Sequence, residues 1–165
     1  MQTAEISEVK VADEVCIATA LLHREHPGRE DFTTNEIMER VEQENLARKL
    51  RPGVYAHVVQ HCVANRAPNS GRYRMLYEST PGRRRLFRIG DSYHPAREGS
   101  KTIPEIGDLP ERYHELLDWY QGWSQDDVEQ RIKNDPLLAL YGDGKDLWAD
   151  EKADDYVRRL REGWE

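Results

Sequence analysis

The sequence predicts a mostly helical α+β chain in three parts. Three observations carry that expectation. Apolar residues recur at helical spacing in three stretches before residue 66, two alternating runs flank a Pro-Gly pair near residue 81, and the composition turns to Gly, Pro and Ser after Asp91. A chain of 165 residues with 38% hydrophobic and 33% charged residues holds one domain of ordinary size and an appendage, but hardly two full domains.

The first helix is expected from about Ser7 to His26. Val11, Val15, Ala18 and Leu22 form one stripe, Ile17 and Leu21 widen it, and Pro27-Gly28 ends it. "FTTNEIMERVEQEN" supplies Thr33 or Thr34 as N-cap, acids in the first turns, and Ile37, Met38 and Val41 on one face of a second helix. A third is expected from about Pro52 to Asn65, with Pro52 suited to the opening turn and Val54, Val58, Val59, Cys62 and Val63 facing inward. "RYRMLYE" and "RRLFRIG", joined by "STPGR", then read as a β-hairpin. Three helices followed by a two-stranded hairpin is the order of a winged helix, in which the third helix enters the major groove and the hairpin touches the backbone or the minor groove. This domain is assigned to residues 1–91.

Charge supports a polyanion as partner of the middle of the chain. Residues 45–90 hold ten Lys and Arg against a single acid, Glu78, so the stretch carries +9 while the remainder carries −16. On a DNA-binding reading Gln60 and Asn65 pair with adenine edges. Tyr55, His57 and His61 share the outer face of the third helix, and Arg51, Arg72, Arg83, Arg84 and Arg85 meet phosphates. The plainer alternative is a solvated helix face and a soluble hairpin edge. "CVANRAPNSGRYRMLY" through "RRLFRIGD" also resembles a winged-helix-like domain found in various bacterial proteins, where an Asn-and-Pro turn precedes a hairpin ending in LFR or LYR.

Residues 92–133 are expected to be a linker or irregular strap followed by an amphipathic helix, with Tyr113, Leu116, Leu117, Trp119, Tyr120 and Trp123 available to pack back on the first domain. Residues 134–165 form the third part. Asp135 caps a short helix opened by Pro136 and stopped by a Gly-Asp-Gly joint. The last segment starts at Asp150, with an acidic first turn, a basic last turn, and Ala153, Val157, Leu160 and Trp164 in one stripe. Such a helix is marginal alone, so its stripe needs a surface to bury against.

No catalytic motif is present: no GxSxG, no Gly-rich phosphate loop, no HExxH and no paired Cys-His arrangement. His57 and His61 stand at i, i+4 spacing, but no third ligand is identifiable, so neither a metal nor a cofactor is expected, and the protein is not read as an enzyme. Cys16 and Cys62 are expected to be reduced core residues, and the protein to be cytoplasmic, without a membrane-spanning segment or signal peptide.

The tail carries the most specific signal. "DPLLALYGDGKDLWADEKADDYVRRLREGW" resembles the C-terminal toxin-neutralising region of VapB-like antitoxins, in which an "ALxGxGKxLW" element precedes "ADExADxYVRxLREGW". In that family the tail wraps a PIN-domain ribonuclease toxin. The resemblance implies that Arg158, Arg159 and Arg161 compete for the acidic cluster that holds the toxin's divalent metal, with Leu147, Trp148, Tyr156, Val157, Leu160 and Trp164 as apolar contacts. It implies an antitoxin of a type II pair that also represses its own operon, with operator DNA and a homodimer partner as further candidates. The alternatives are a stand-alone winged-helix regulator and a protein-binding adaptor.

Overall fold

The computed structural model describes residues 8–139, together with Arg158 and Arg161. Described residues up to Gln125 belong to one compact unit, and those from Asp126 onward to a second. The expected boundary near residue 91 therefore falls inside the first unit, because the core is not closed by the helices and hairpin alone. Leu109, Tyr113, Leu116 and Tyr120 are buried in the same cluster as Ile17, Phe32, Val58 and Leu86.

Helix α1 (Val11–Glu25) is the central element. Every residue from Ala12 to Ala20 is buried, so this helix is enclosed rather than amphipathic, and its small residues let neighbours approach closely. A two-residue strand, β1 (Phe32–Thr33), follows. Helix α2 (Thr34–Glu44) opens on a complete capping box: the Thr33 hydroxyl accepts from the Glu36 N–H, and the Glu36 carboxylate accepts from the Thr33 N–H. It closes on Asn45 in the left-handed region, at φ 55°.

The expected third helix is cut short. Regular turns run only through α3 (Gly53–Ala56), and His57–His61 widen into a π-turn in which the Cys62 N–H donates to the His57 carbonyl at 3.0 Å. The backbone then leaves the helix because its polar groups find long-range partners. The Cys62 carbonyl accepts from Met75 and Leu76, and the Ala64 N–H donates to Leu76 at 2.8 Å. Strand pairing at residues 62–64 thus prevails over helical continuation to Asn65.

Strands β2 (Leu76–Thr80) and β3 (Arg83–Leu86) form the expected hairpin, shorter than the sequence runs suggest. Leu76 pairs with Leu86 and Glu78 with Arg84, with a bulge between Glu78 and Thr80. Gly82 takes φ 79° in the turn, a conformation that disfavours any side chain. β1 pairs antiparallel with β3, placing Phe32 opposite Arg84, so the sheet has three strands in the order β1-β3-β2. The sequence pattern reads "DFTT" as a helix cap and gives no sign of this strand.

Residues 87–113 wrap the unit as a strap with short 3-10 turns at Pro95–Arg97, Ile106–Asp108 and Glu111–Tyr113. Helix α4 (His114–Asn134) brings Leu116 and Tyr120 against α1, where Cys16, Ile17 and Ala20 face them across a small apolar cavity. Both cysteines are free and fully buried, and burial pushes the Cys16 thiol up to about 12. In the second unit α5 (Pro136–Ala139) follows Asp135, whose carboxylate accepts from the Leu137 N–H at 2.8 Å, as expected of its cap. Among the described residues no helix is long and apolar enough to cross a membrane.

His23, buried on α1, joins the helix to the hairpin: its Nε2 accepts from the Leu86 N–H at 3.2 Å, which requires the neutral ring. Burial, followed by the nearby Arg88 and Arg85 charges, lowers its pKa to about 3. Between about pH 6.5 and that value the unfolded state holds the proton and the folded state does not, so acid removes stability. The expected slope is about 1.4 kcal/mol per pH unit. His23→Gln, whose amide oxygen can still accept, should flatten urea-unfolding stability between about pH 6.5 and 4.5. An unchanged slope would assign the titration to another group.

Candidate functional site

The basic middle of the protein is largely neutralised from within. Of its ten cations, five are paired with carboxylates: Arg51 with Glu14 at 2.6 Å and with Glu8, Arg66 and Arg84 with Glu78 at 2.9 and 2.7 Å, Arg83 with Asp31 at 2.6 Å, and Arg85 with Asp91 at 2.7 Å. Glu8, Glu14, Asp31 and Asp91 lie outside residues 45–90, so much of the charge separation seen in the sequence closes on itself when the protein folds. Arg74 lies 4.2 Å over the Tyr93 ring and Arg88 4.7 Å over Trp123.

This corrects most of the expected DNA-contact set. Arg84 is 1% exposed and threads under the third helix, where its guanidinium donates to the Val58 and Val59 carbonyls. Burial lowers its pKa, with Glu78 acting in the opposite sense. Arg85 is buried in a two-pronged bond to Asp91 at 2.7 and 2.8 Å, and Arg83 is held at the sheet edge by Asp31. None of the three is a free wing cation, because each is held by a carboxylate of the unit: Arg83 by Asp31, Arg84 by Glu78 and Arg85 by Asp91. Arg51 turns inward to Glu14 and the Val9 carbonyl instead of projecting from the helix.

The amide side chains are spent in the same way. Asn65 donates to the Glu78 carbonyl and accepts from the Glu78 N–H, both at 2.9 Å, pinning the helix exit to the hairpin. Gln60 donates to the Ala67 carbonyl of the following loop. His57 donates through Nδ1 to the Gly53 carbonyl at 2.8 Å, and its ring meets His61 edge-on at 4.9 Å. Burial lowers the His57 pKa, with the Gly53 bond opposing. His61 is overlain by the loop that follows: a Cβ on Gly71 would lie 2.6 Å from the His61 Cβ, so only glycine fits there. Among the described residues no cluster of three or more His, Cys, Asp or Glu side chains is placed to hold a metal.

Two members of the expected set keep an open position. Tyr55 is 57% exposed on α3, and Arg72 is exposed beyond the loop. Sequence reasoning leaves out two others, Arg48 and Lys49, which are exposed in the segment ahead of α3; Arg48 sits at φ 63°. Their signal is available, since they belong to the same run of cations, but nothing in the run distinguishes a cation that stays outside from one that folds in.

Of the expected toxin contacts, Arg158 and Arg161 are helical and exposed, as the spacing predicts for one flank of a terminal helix. Leu147, Trp148, Tyr156, Val157, Arg159, Leu160 and Trp164 lie outside the described residues. Comparisons with protein-family models, curated proteins and solved structures found no match.

Proposed function

We propose that this protein is the antitoxin of a type II toxin–antitoxin pair. Residues 134–165 neutralise a PIN-domain ribonuclease, and the first unit is a winged helix that binds DNA. The observation that carries the reading is the run "ALYGDGKDLWADEKADDYVRRLREGW", in which a Gly-x-Gly joint, two tryptophans and the arginines at 158 and 161 recur in the order of the VapB-like neutralising region. The exposed, helical Arg158 and Arg161 are consistent with it. For the first unit the support is topological: helix, short strand, two helices and a hairpin follow in this order, with the first strand beside the last, an arrangement that favours the winged-helix reading.

The mechanism is charge competition. A PIN site gathers carboxylates around a divalent cation, and an arginine fork inserted there satisfies those carboxylates in place of the metal. The antitoxin's own part is to deliver guanidinium groups such as those of the helical, exposed Arg158 and Arg161 to that site.

The test is co-expression with a PIN-domain protein encoded by the neighbouring reading frame, followed by co-purification and a ribonuclease assay. The full-length protein should bind and silence the nuclease. A version ending at Asn134 should do neither while keeping the thermal transition of the first unit. Neutralisation by the truncated version, or no binding by the full-length one, would overturn the proposal.

A further inference from the structure

We propose that the first unit holds duplex DNA through its phosphates alone, by way of Arg48 and Lys49 ahead of α3, Tyr55 on α3 and Arg72 beyond it, so that binding is indifferent to base sequence. The proposal rests on the reading of this unit as a DNA-binding winged helix and departs from the adenine contacts that the sequence suggests.

Base readout needs a donor–acceptor pair presented on the element that enters the groove. The two amides positioned for that task are consumed, Asn65 in both directions by the Glu78 backbone and Gln60 by Ala67. What α3 and its π-turn leave toward solvent is Tyr55, with Ala56, His57, Val59, Gln60 and His61 half-buried beside it. The helix is also short, and its far end is covered by the loop through Gly71. Nothing on this element can form a two-pronged bond to a base edge without breaking the fold.

Phosphate contact has its groups in place. Arg48 and Lys49 stand before the helix and Arg72 after it, and the stretch between is continuous: His57 rests on His61, and Gly71 packs on His61 immediately before Arg72. These cations are exposed, and the Tyr55 hydroxyl adds a donor suited to a phosphate or sugar oxygen. One flank is closed to a polyanion, because Glu39 and Glu42 line the groove between α2 and Leu50.

The experiment is fluorescence anisotropy with the full-length protein on two unrelated duplexes and on the DNA upstream of its own gene, across a salt series. The three should bind within about threefold of one another. Three phosphate contacts predict that log K falls with log salt at a slope of about −3. Replacing Arg48→Asn, Lys49→Gln and Arg72→Gln together should remove most of that slope, with folding checked by circular dichroism. The same number of charges removed at Arg24, Lys133 and Arg112 should leave the slope unchanged. A preference above a hundredfold for one sequence, or a slope unaffected by the triple replacement, overturns the proposal and leaves the DNA-binding reading standing. No binding to any duplex at the lowest salt removes that reading, and the proposal with it.

Discussion

Arg97→Ala is expected to destabilise the first unit by about 3–5 kcal/mol, because it strips a buried donor fork from backbone carbonyls. Arg97 is 0% exposed, and burial is opposed by no neighbouring carboxylate. Its guanidinium instead donates to four carbonyls: Gln60 at 2.8 Å, His61 at 2.8 Å, Arg66 at 2.7 Å and Tyr73 at 2.7 Å. Those carbonyls belong to the end of the π-turn and the loop after it, where a helix leaves acceptors without intrahelical partners. Arg97 thus caps the C-terminal end of this helix from the strap. Burial pulls its pKa below the usual range, an opposing effect that the four bonds must exceed.

Truncation to Ala leaves the Arg66 and Tyr73 carbonyls without a donor, at about 1–3 kcal/mol for each before relaxation, while the Gln60 and His61 carbonyls keep the Val63 and Tyr73 N–H groups. A native stability of roughly 5–15 kcal/mol makes the loss a large share of the whole. The melting temperature should drop by on the order of 10–15 °C. Arg97→Lys should recover only part of this, because one compact ammonium cannot span four divergent acceptors. A loss below about 1 kcal/mol in urea unfolding would show that water replaces the guanidinium and that the strap does not hold the helix end.

Arg97 also explains why some of the fold is legible in the sequence and some is not. The capping box at Thr33 and Glu36, the Pro-Gly hairpin turn and the Asp135 cap depend on residues close to one another in sequence, and each can be read there. β1 is two residues long and exists because Phe32 and Thr33 reach Arg84 and Arg83 of β3, far along the sequence, so no local pattern announces it. The π-turn is likewise imposed by pairing with Leu76. Charge is the least legible property. "GRRRLFR" looks like a cationic tip, but alternation along a middle strand sends Arg84 and Arg85 to opposite sides, each into a carboxylate. A single clue is present: Glu78, the lone acid in the basic run, is the group on which Arg66 and Arg84 converge.

The candidate site divides along the same line. Spacing identifies the residues of the third helix, correctly giving Tyr55 an outward position and correctly burying Val54, Val58, Cys62 and Val63. Spacing says nothing about whether an outward amide or guanidinium is then claimed by a neighbouring loop. That depends on the strap and hairpin, whose arrival at the helix is a tertiary event. Acids outside the basic stretch, which look like counterweights to a basic domain, include its internal partners Glu14, Asp31 and Asp91.

Arg158→Glu combined with Arg161→Glu is expected to weaken inhibition of the partner nuclease by about a thousandfold or more. The two residues are helical, exposed and three positions apart, so they occupy neighbouring places on one flank, roughly 5–6 Å apart at their Cβ atoms. That separation suits two forks reaching one carboxylate cluster. Arginines at such centres are worth about 2 kcal/mol or more each, and about 4 kcal/mol corresponds to roughly three decades in affinity. Reversal rather than removal sets two anionic side chains against an acidic site, so the charge that attracted the tail now repels it. Titrating the nuclease with the full-length protein measures the change directly. The Arg48, Lys49 and Arg72 triple replacement serves as the control, because it removes three cations from the first unit and should leave inhibition intact. Inhibition by the charge-reversed tail within tenfold of the native protein would mean that Arg158 and Arg161 do not enter the nuclease site.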